Sequence, residues 1–272
     1  MPLLVASVLL GILEGLTEFL PVSSTGHLIL ANALLGYNPK QWEVFNIVIQ
    51  LPAILAVVVL YWRTIWAVVT GLLRGEKGAI DFTINLIVAF IPAAVLGVLL
   101  KKRIDFLLES PKVVALALIV GGLAIIVIER FAKQGEYVGI GQLSRRKALG
   151  VGLMQCIAMV PGVSRSGATI MGSLCMGINR KTAAEFSFFL AIPTMLGATV
   201  KQVWDNRHEL AAGTSPVGAA EIAVGSIASF VVALVVIKLF VNYISRHGFT
   251  PFALYRIVAG VASLYFLNTM VH

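Results

Sequence analysis

The sequence predicts an all-α integral membrane protein: six transmembrane helices plus two re-entrant helix-loop-helix hairpins, arranged as an inverted repeat. Three observations lead there. Of the 272 residues, 58% are hydrophobic and 12% charged, with a mean hydropathy of +0.93, whereas an ordinary soluble domain carries about 25% charged residues. That shortage of polar surface excludes a disordered chain, a secreted disulfide scaffold and a cytosolic enzyme. Two apolar segments are interrupted in the middle by Gly, Pro, Ser and charge. Those two segments also align with each other, without a gap, when the chain is slid by 141 positions.

The first interrupted segment covers residues 3–36 and contains LLGILEGLTEFLPVSSTGHLILANALLG. Irregular backbone at membrane depth is tolerated only where protein or a water-filled cavity satisfies it, so the segment reads as two half-helices with a polar tip. Its start, Met1 to Leu13, lacks a basic n-region and a cleavage site and is expected to belong to the fold. Spans, which need about 20 apolar residues, are expected near 41–62, 82–100 and 112–130. The second interrupted segment, 148–178, contains VGLMQCIAMVPGVSRSGATIMGSLCMG, and three more spans are expected near 182–203, 221–241 and 250–270. Trp42, Tyr61, Trp62, Trp66, Trp204 and Tyr243 fall near span ends, where rings are expected at headgroup level. Cys156 and Cys175 have no metal-ligand spacing and read as small buried hydrophobes.

At the offset of 141, 12 of the 49 positions from 11 to 59 are identical, among them Gly11, Val22, Ser23, Gly26, Gly36, Phe45 and Pro52 with Gly152, Val163, Ser164, Gly167, Gly177, Phe186 and Pro193. The single membrane domain, 1–272, is therefore expected to repeat internally as 1–135 and 145–272. One hairpin and three spans make an odd number of crossings, so the second copy enters from the opposite face. With re-entrant hairpins, twelve Lys and Arg fall on one side and seven on the other; with fully crossing segments the split is ten against nine. The positive-inside rule prefers the first arrangement. The twelve-residue side, which holds Arg63, Lys133, Arg146 and Arg180, is expected in the cytoplasm. Both termini and the site's mouth are then expected on the periplasmic side of a bacterial inner membrane. The net charge of +8 is scattered between apolar runs, so no nucleic-acid partner is expected.

Glu14 and Glu18, four residues apart, project from one face of a half-helix. Two like charges at low dielectric need a shared proton or a cation between them, and Mg²⁺ favours one or two carboxylates plus phosphate oxygens. The turn Pro21-Val22-Ser23-Ser24-Thr25-Gly26-His27 follows, with three hydroxyls and a histidine. Ser24 is a candidate nucleophile and His27 a candidate base or acid, with the nucleophile left open among Ser24, His27 and water. In the second hairpin, Pro161-Gly162-Val163-Ser164-Arg165-Ser166-Gly167-Ala168-Thr169 puts an arginine at the tip. Its fork fits phosphate, and the half-helix that follows presents free N–H groups to an anion; pairing with Glu14 or Glu18 is its structural alternative. Ser24 aligns with Arg165, while Glu14 and Glu18 align with Gln155 and Met159, so a symmetric frame holds an asymmetric site. Arg256, Glu185 and Gln50 are further polar residues of the spans without an assigned role; Glu129 and Glu221 read as interfacial, and His208, His247 and His272 as loop or tail residues.

EGLTEFLPVSSTGH and PGVSRSGATI together resemble the two signature regions of the bacterial undecaprenyl pyrophosphate phosphatases of the bacitracin-resistance type. The resemblance implies metal-dependent removal of the terminal phosphate from undecaprenyl pyrophosphate, giving undecaprenyl phosphate for reuse in peptidoglycan synthesis. It implies Mg²⁺ or Ca²⁺ at Glu14 and Glu18, and catalytic roles for Glu14, Glu18, Ser24, His27 and Arg165. It also implies substrate contacts from Ser23, Thr25, Ser164, Arg165, Ser166 and Thr169. Expected partners are a polyprenyl diphosphate and membrane lipid, with a homodimer left open. The type 2 phosphatidic acid phosphatases are set aside, because they need a second histidine soon after the arginine and none occurs between His27 and His208. A secondary transporter or lipid flippase is the competing class, since inverted repeats with broken helices are common in carriers.

Overall fold

The break between the first two helices sets the plan of the molecule. Helix α1 (Leu3–Thr17) ends, Glu18 to Ser23 run without helix, and α2 (Ser24–Leu34) begins. The computed structural model describes residues 2–37, 39–108, 110–132, 135, 139–205, 207 and 217–269; Lys133, His208 and His272 lie outside the described residues. After α2 come α3 (Pro39–Val48), α4 (Gln50–Leu60), α5 (Trp62–Leu73), α6 (Lys77–Leu99), α7 (Lys101–Leu108) and α8 (Pro111–Phe131). A 3-10 turn (Ile140–Gln142) leads to α9 (Arg145–Ile157), α10 (Arg165–Cys175), α11 (Arg180–Asp205), α12 (Ala219–Ile244) and α13 (Thr250–Thr269). No strand occurs among the described residues.

Five helices, α6, α8, α11, α12 and α13, are long and apolar enough to cross a membrane, and they cover the five later spans expected from the sequence. The span expected at 41–62 is built differently, from α3 and α4 with an interruption at Ile49. Pro52, in the first turn of α4, has no N–H to give the carbonyl four residues back. At the interruption itself, the Ser229 hydroxyl of α12 donates to the Ile49 carbonyl at 2.8 Å. Beyond Leu60 the chain bends by 74° into α5, a helix the sequence had not announced. Its Trp62 and Trp66 are exposed and stack on each other, as an interfacial helix requires. Trp42 departs from its expected headgroup position: it is buried between Tyr37 and Phe45.

The surface is apolar and the interior carries the polar groups. Val98, Val120, Leu239 and Val258 on the spans are each at least 64% exposed, while Glu14, Asn85, Ser229 and Arg256 are at most 1% exposed. This is the pattern of a chain solvated by lipid, and the protein is a multi-pass membrane protein. Without a hydrophobic drive between helices, close backbone approach through small residues holds such a bundle. A Cβ on Gly15 of α1 would stand 2.6 Å from the Ser229 carbonyl oxygen of α12, and one on Gly152 of α9 would stand 2.8 Å from the Cα of Ala89 in α6. Gly122 and Gly260 bring α8 and α13 together in the same way, each 2.7 Å from a facing carbonyl.

The backbone at the two breaks follows the sequence alignment. Ser23 has φ 74° and its counterpart Ser164 has φ 79°, a sparsely populated region that costs a non-glycine residue about 1–3 kcal/mol. Each serine is held there as the cap of the next helix: Gly26 N–H donates to Ser23 Oγ at 3.3 Å, and Gly167 N–H to Ser164 Oγ at 3.0 Å. Gly36 and Gly177, which close the same two helices, have φ 71° and 70°. Ser24 and Arg165 are the first residues of α2 and α10.

Candidate active site

The two breaks meet. Ser166 Oγ, past the second break, donates to the Leu20 carbonyl in the first at 2.8 Å, and a Cβ on Gly26 would lie 3.4 Å from the Cα of Gly162. Glu18 stands at the C-terminal end of α1, its N–H closing the last turn on the Glu14 carbonyl at 2.9 Å. Its side chain is the hub. Ser24 Oγ donates to Glu18 Oε2, and Arg165 Nη2 donates to Glu18 Oε1 at 2.8 Å. The pair has side-chain exposures of 13% for Arg165 and 6% for Glu18, so the contact lies out of bulk water. Two residues at equivalent positions of the two hairpins, Ser24 and Arg165, thus reach one carboxylate.

Arg165 is oriented by α11. Its Nη1 donates to the Ser187 carbonyl at 3.1 Å and reaches Ser187 Oγ at 3.4 Å, and its Nη2 lies 3.3 Å from Met195 Sδ. The guanidinium carbon lies 6.0 Å from the ring centre of Phe19, a cation–π distance. Nε has no partner among the described residues. Thr169 and Ser187 share a 2.6 Å hydroxyl contact beneath this arginine. Thr169 also donates to the Arg165 carbonyl at 2.9 Å.

Glu14 is fully buried beside Glu18, and neither of its carboxylate oxygens meets a donor among the described residues. His27 is fixed at both nitrogens. Nδ1 lies 2.7 Å from the Ser23 carbonyl, which only accepts, so Nδ1 carries hydrogen; Nε2 lies 2.7 Å from Tyr255 Oη on α13. The rings of His27 and Tyr255 stack with an interplanar angle of 8°. The hydroxyl of Ser24 turns to Glu18, and the imidazole of His27 turns to Tyr255.

All ten residues singled out in the sequence fall at the two breaks or on the half-helices beside them. Their tasks differ. Ser23 and Ser164 cap helices, Ser166 ties the breaks together, and Thr169 supports Arg165. Thr25 is half-buried in the first turn of α2. Ser187, Met195 and Tyr255 had no signal in the sequence, because each acts through a tertiary contact at no fixed spacing from the motif it serves. Glu129, read as interfacial, accepts from Arg180 at 3.0 Å and from the N–H of Phe249 and the hydroxyl of Thr250 at the start of α13.

A family model described as "Bacitracin resistance protein BacA" matches residues 7–262. The chain belongs to the BacA family. It is 67% identical over 264 residues to an undecaprenyl-diphosphatase of Novosphingobium aromaticivorans, covering 97% of this chain and 98% of the relative. It is 54% identical to an undecaprenyl-diphosphatase of Rhizorhabdus wittichii, covering 97% of both, and 52% identical to one of Sphingopyxis alaskensis, covering 96% of both. The BacA match encloses both hairpin breaks and the His27–Tyr255 contact, so the family assignment rests on the stretch that builds the site.

Proposed function

We propose that the site where the two breaks meet hydrolyses the phosphoanhydride of undecaprenyl pyrophosphate, releasing inorganic phosphate and leaving undecaprenyl phosphate for reuse in peptidoglycan synthesis. One observation carries this reading: the continuous contact from Ser24 through Glu18 to Arg165, in a BacA chain whose relatives are named undecaprenyl-diphosphatases. Phosphoryl transfer is catalysed mainly by positioning and charge stabilisation, and this contact supplies a base, a hydroxyl and a phosphate-matching cation. Glu18 accepts the proton of Ser24, whose Oγ forms a bond to the terminal phosphorus as the bridging P–O bond breaks. The bridging oxygen leaves with undecaprenyl phosphate. Water then attacks the phosphoserine, the proton held on Glu18 returns to Ser24 Oγ, and phosphate departs. Arg165, oriented by Ser187 and Glu18, steadies the charge on the transferring group.

Glu14 and Glu18 fit a divalent cation, Mg²⁺ or Ca²⁺. Glu14 offers two buried oxygens without a donor, and two carboxylates leave positions for diphosphate oxygens, the arrangement Mg²⁺ favours. When bound, such an ion neutralises charge on the diphosphate. For purified protein with a polyprenyl diphosphate, chelating divalent ions is expected to lower phosphate release by about 100-fold or more, with recovery on adding Mg²⁺. Undiminished release in chelator would remove the ion from Glu14 and Glu18. If no phosphate appears under any metal condition while lipid or solute crosses vesicle membranes, the transporter or flippase reading takes over.

The same proposal includes two re-entrant hairpins in inverted repeats over 1–135 and 145–272. Contacts between helix ends support it. Asp81 near the start of α6 pairs with Arg145 at the start of α9 at 3.7 Å, and Glu129 near the end of α8 pairs with Arg180 at the start of α11 at 3.0 Å. Since α6 and α8 are antiparallel, α9–α10 begins and ends on one side. Ala6 of α1, Trp42 of α3 and Val217 before α12 share a buried cluster, which supports the same form for the first hairpin.

The same reading puts Arg146, exposed beside this pairing, on the cytoplasmic side of an inner membrane, with both termini periplasmic. A cysteine replacing Arg146 is expected to escape an impermeant maleimide in intact cells and to react after lysis. Labelling from outside would invert the orientation.

A further inference from the structure

Arg256, in the middle of α13, is 1% exposed and has no role in the hydrolysis set out for Glu18, Ser24 and Arg165. Its hydrogen bonds all go to backbone carbonyls. Nη1 donates to Pro21 at 2.9 Å and Val163 at 2.8 Å, Nη2 to Gly162 at 2.9 Å and Ala117 at 3.1 Å, and Nε to Leu118 at 3.3 Å. No carboxylate of the described residues pairs with it. The niche is shaped for a guanidinium: a Cβ on Gly121 would collide with Nη2 and stand 2.7 Å from Cζ, and one on Gly167 would stand 3.4 Å from Nη1.

Pro21 lies between Glu18 and Ser24, and Gly162 and Val163 immediately precede Ser164 and Arg165. A single side chain therefore grips both breaks on the stretches that aim the base, the hydroxyl and the phosphate clamp. We infer that Arg256 is a positioning residue for the diphosphatase reaction, fixing the separation of the two breaks so that Ser24 and Arg165 meet the same diphosphate. This rests on the function proposed for the site.

Three points favour positioning over general support. A buried cation without a counter-charge is expensive in a membrane interior, and neutral donors suffice where the need is only adhesion, as Ser166 and Leu20 illustrate. Aligning Ser110-Pro111 with Thr250-Pro251 places Leu116 opposite Arg256, so the residue belongs to the asymmetric site and not to the symmetric frame. Finally, the Arg165–Glu18 contact has to be shared with the diphosphate once it enters, whereas none of the hydrogen bonds of Arg256 goes to that pair.

The test uses the full chain in lipid nanodiscs with Mg²⁺, comparing the unaltered protein with Arg256→Lys and Gly121→Ala. A non-hydrolysable methylene analogue of a polyprenyl diphosphate counts folded, binding-competent sites and gives Kd; phosphate release gives kcat per site. Each variant is expected to keep its analogue affinity and lose about 100-fold in kcat per site, the effect of misplacing reacting groups by about 1 Å. Unchanged kcat per site in Arg256→Lys overturns the inference. So does a loss of rate that only follows a loss of analogue sites, which would make Arg256 a folding residue. Weaker analogue binding with kcat per site kept also overturns it, making Arg256 a binding group. Failure of the unaltered chain to release phosphate is a separate result, and it falls on the proposed function.

Discussion

Replacing Arg165 by alanine is expected to lower kcat/KM for phosphate release by about 10³–10⁵-fold, the range in which an arginine that steadies a transferring phosphoryl group acts. The expectation follows from how the side chain is held. Nη1 is anchored on the Ser187 carbonyl and Nη2 on Glu18, while Nε has no partner among the described residues. A fork held at both terminal nitrogens is already oriented, so it meets phosphate oxygens without further ordering. Lysine supplies charge as a point and cannot hold Ser187 and Glu18 while engaging phosphate, so Arg165→Lys is expected to regain only about tenfold of the loss.

Removing one partner of a buried pair also destabilises a fold, by about 3–5 kcal/mol, and that effect has to be separated from chemistry. The double variant Glu18→Gln with Arg165→Met removes both charges and should recover the thermal stability lost in Arg165→Ala. It should recover none of the activity. Phosphate release by Arg165→Ala within tenfold of the unaltered chain would end the assignment of Arg165 as the phosphate clamp.

The sequence made the site legible because membrane depth makes polarity rare. In a chain with 12% charged residues, Glu14, Glu18 and Arg165 stood out in broken segments. The offset alignment also pairs Ser23 with Ser164, and the two share a positive φ. Other features depend on packing that carries no local signature. Pro52 and Pro193 are aligned, yet the first lies beside the interruption at Ile49 and the second sits inside the continuous α11. Only the first has Ser229 of a neighbouring helix bonded to the interrupting residue. Trp42 was expected at the interface because tryptophan near a span end usually is, but Tyr37 and Phe45 cover it. Arg256 was visible as a charge in an apolar span; its targets were not, since backbone carbonyls are acceptors that every sequence offers.

Ser24→Ala is expected to lower kcat by about 10⁴-fold or more, as loss of a covalent nucleophile does, while analogue binding survives because the Arg165 contacts are intact. Glu18→Gln is expected to lose about 10²–10⁴-fold, the usual contribution of a general base. The informative comparison is the double variant. If the main task of Glu18 is to take the proton of Ser24, as their hydrogen bond implies, then once the hydroxyl is gone the carboxylate has nothing to deprotonate. The double variant should then be no slower than Ser24→Ala alone, because residues acting as a unit do not contribute additively. Multiplying losses would mean that Glu18 acts chiefly by holding Arg165 or a divalent ion. Rapid-quench trapping of ³²P on the protein from a terminally labelled diphosphate separates the remaining alternative. Label retained by the unaltered chain and absent from Ser24→Ala fits attack by serine, whereas turnover without any labelled protein would make water the nucleophile and Ser24 its orienting group.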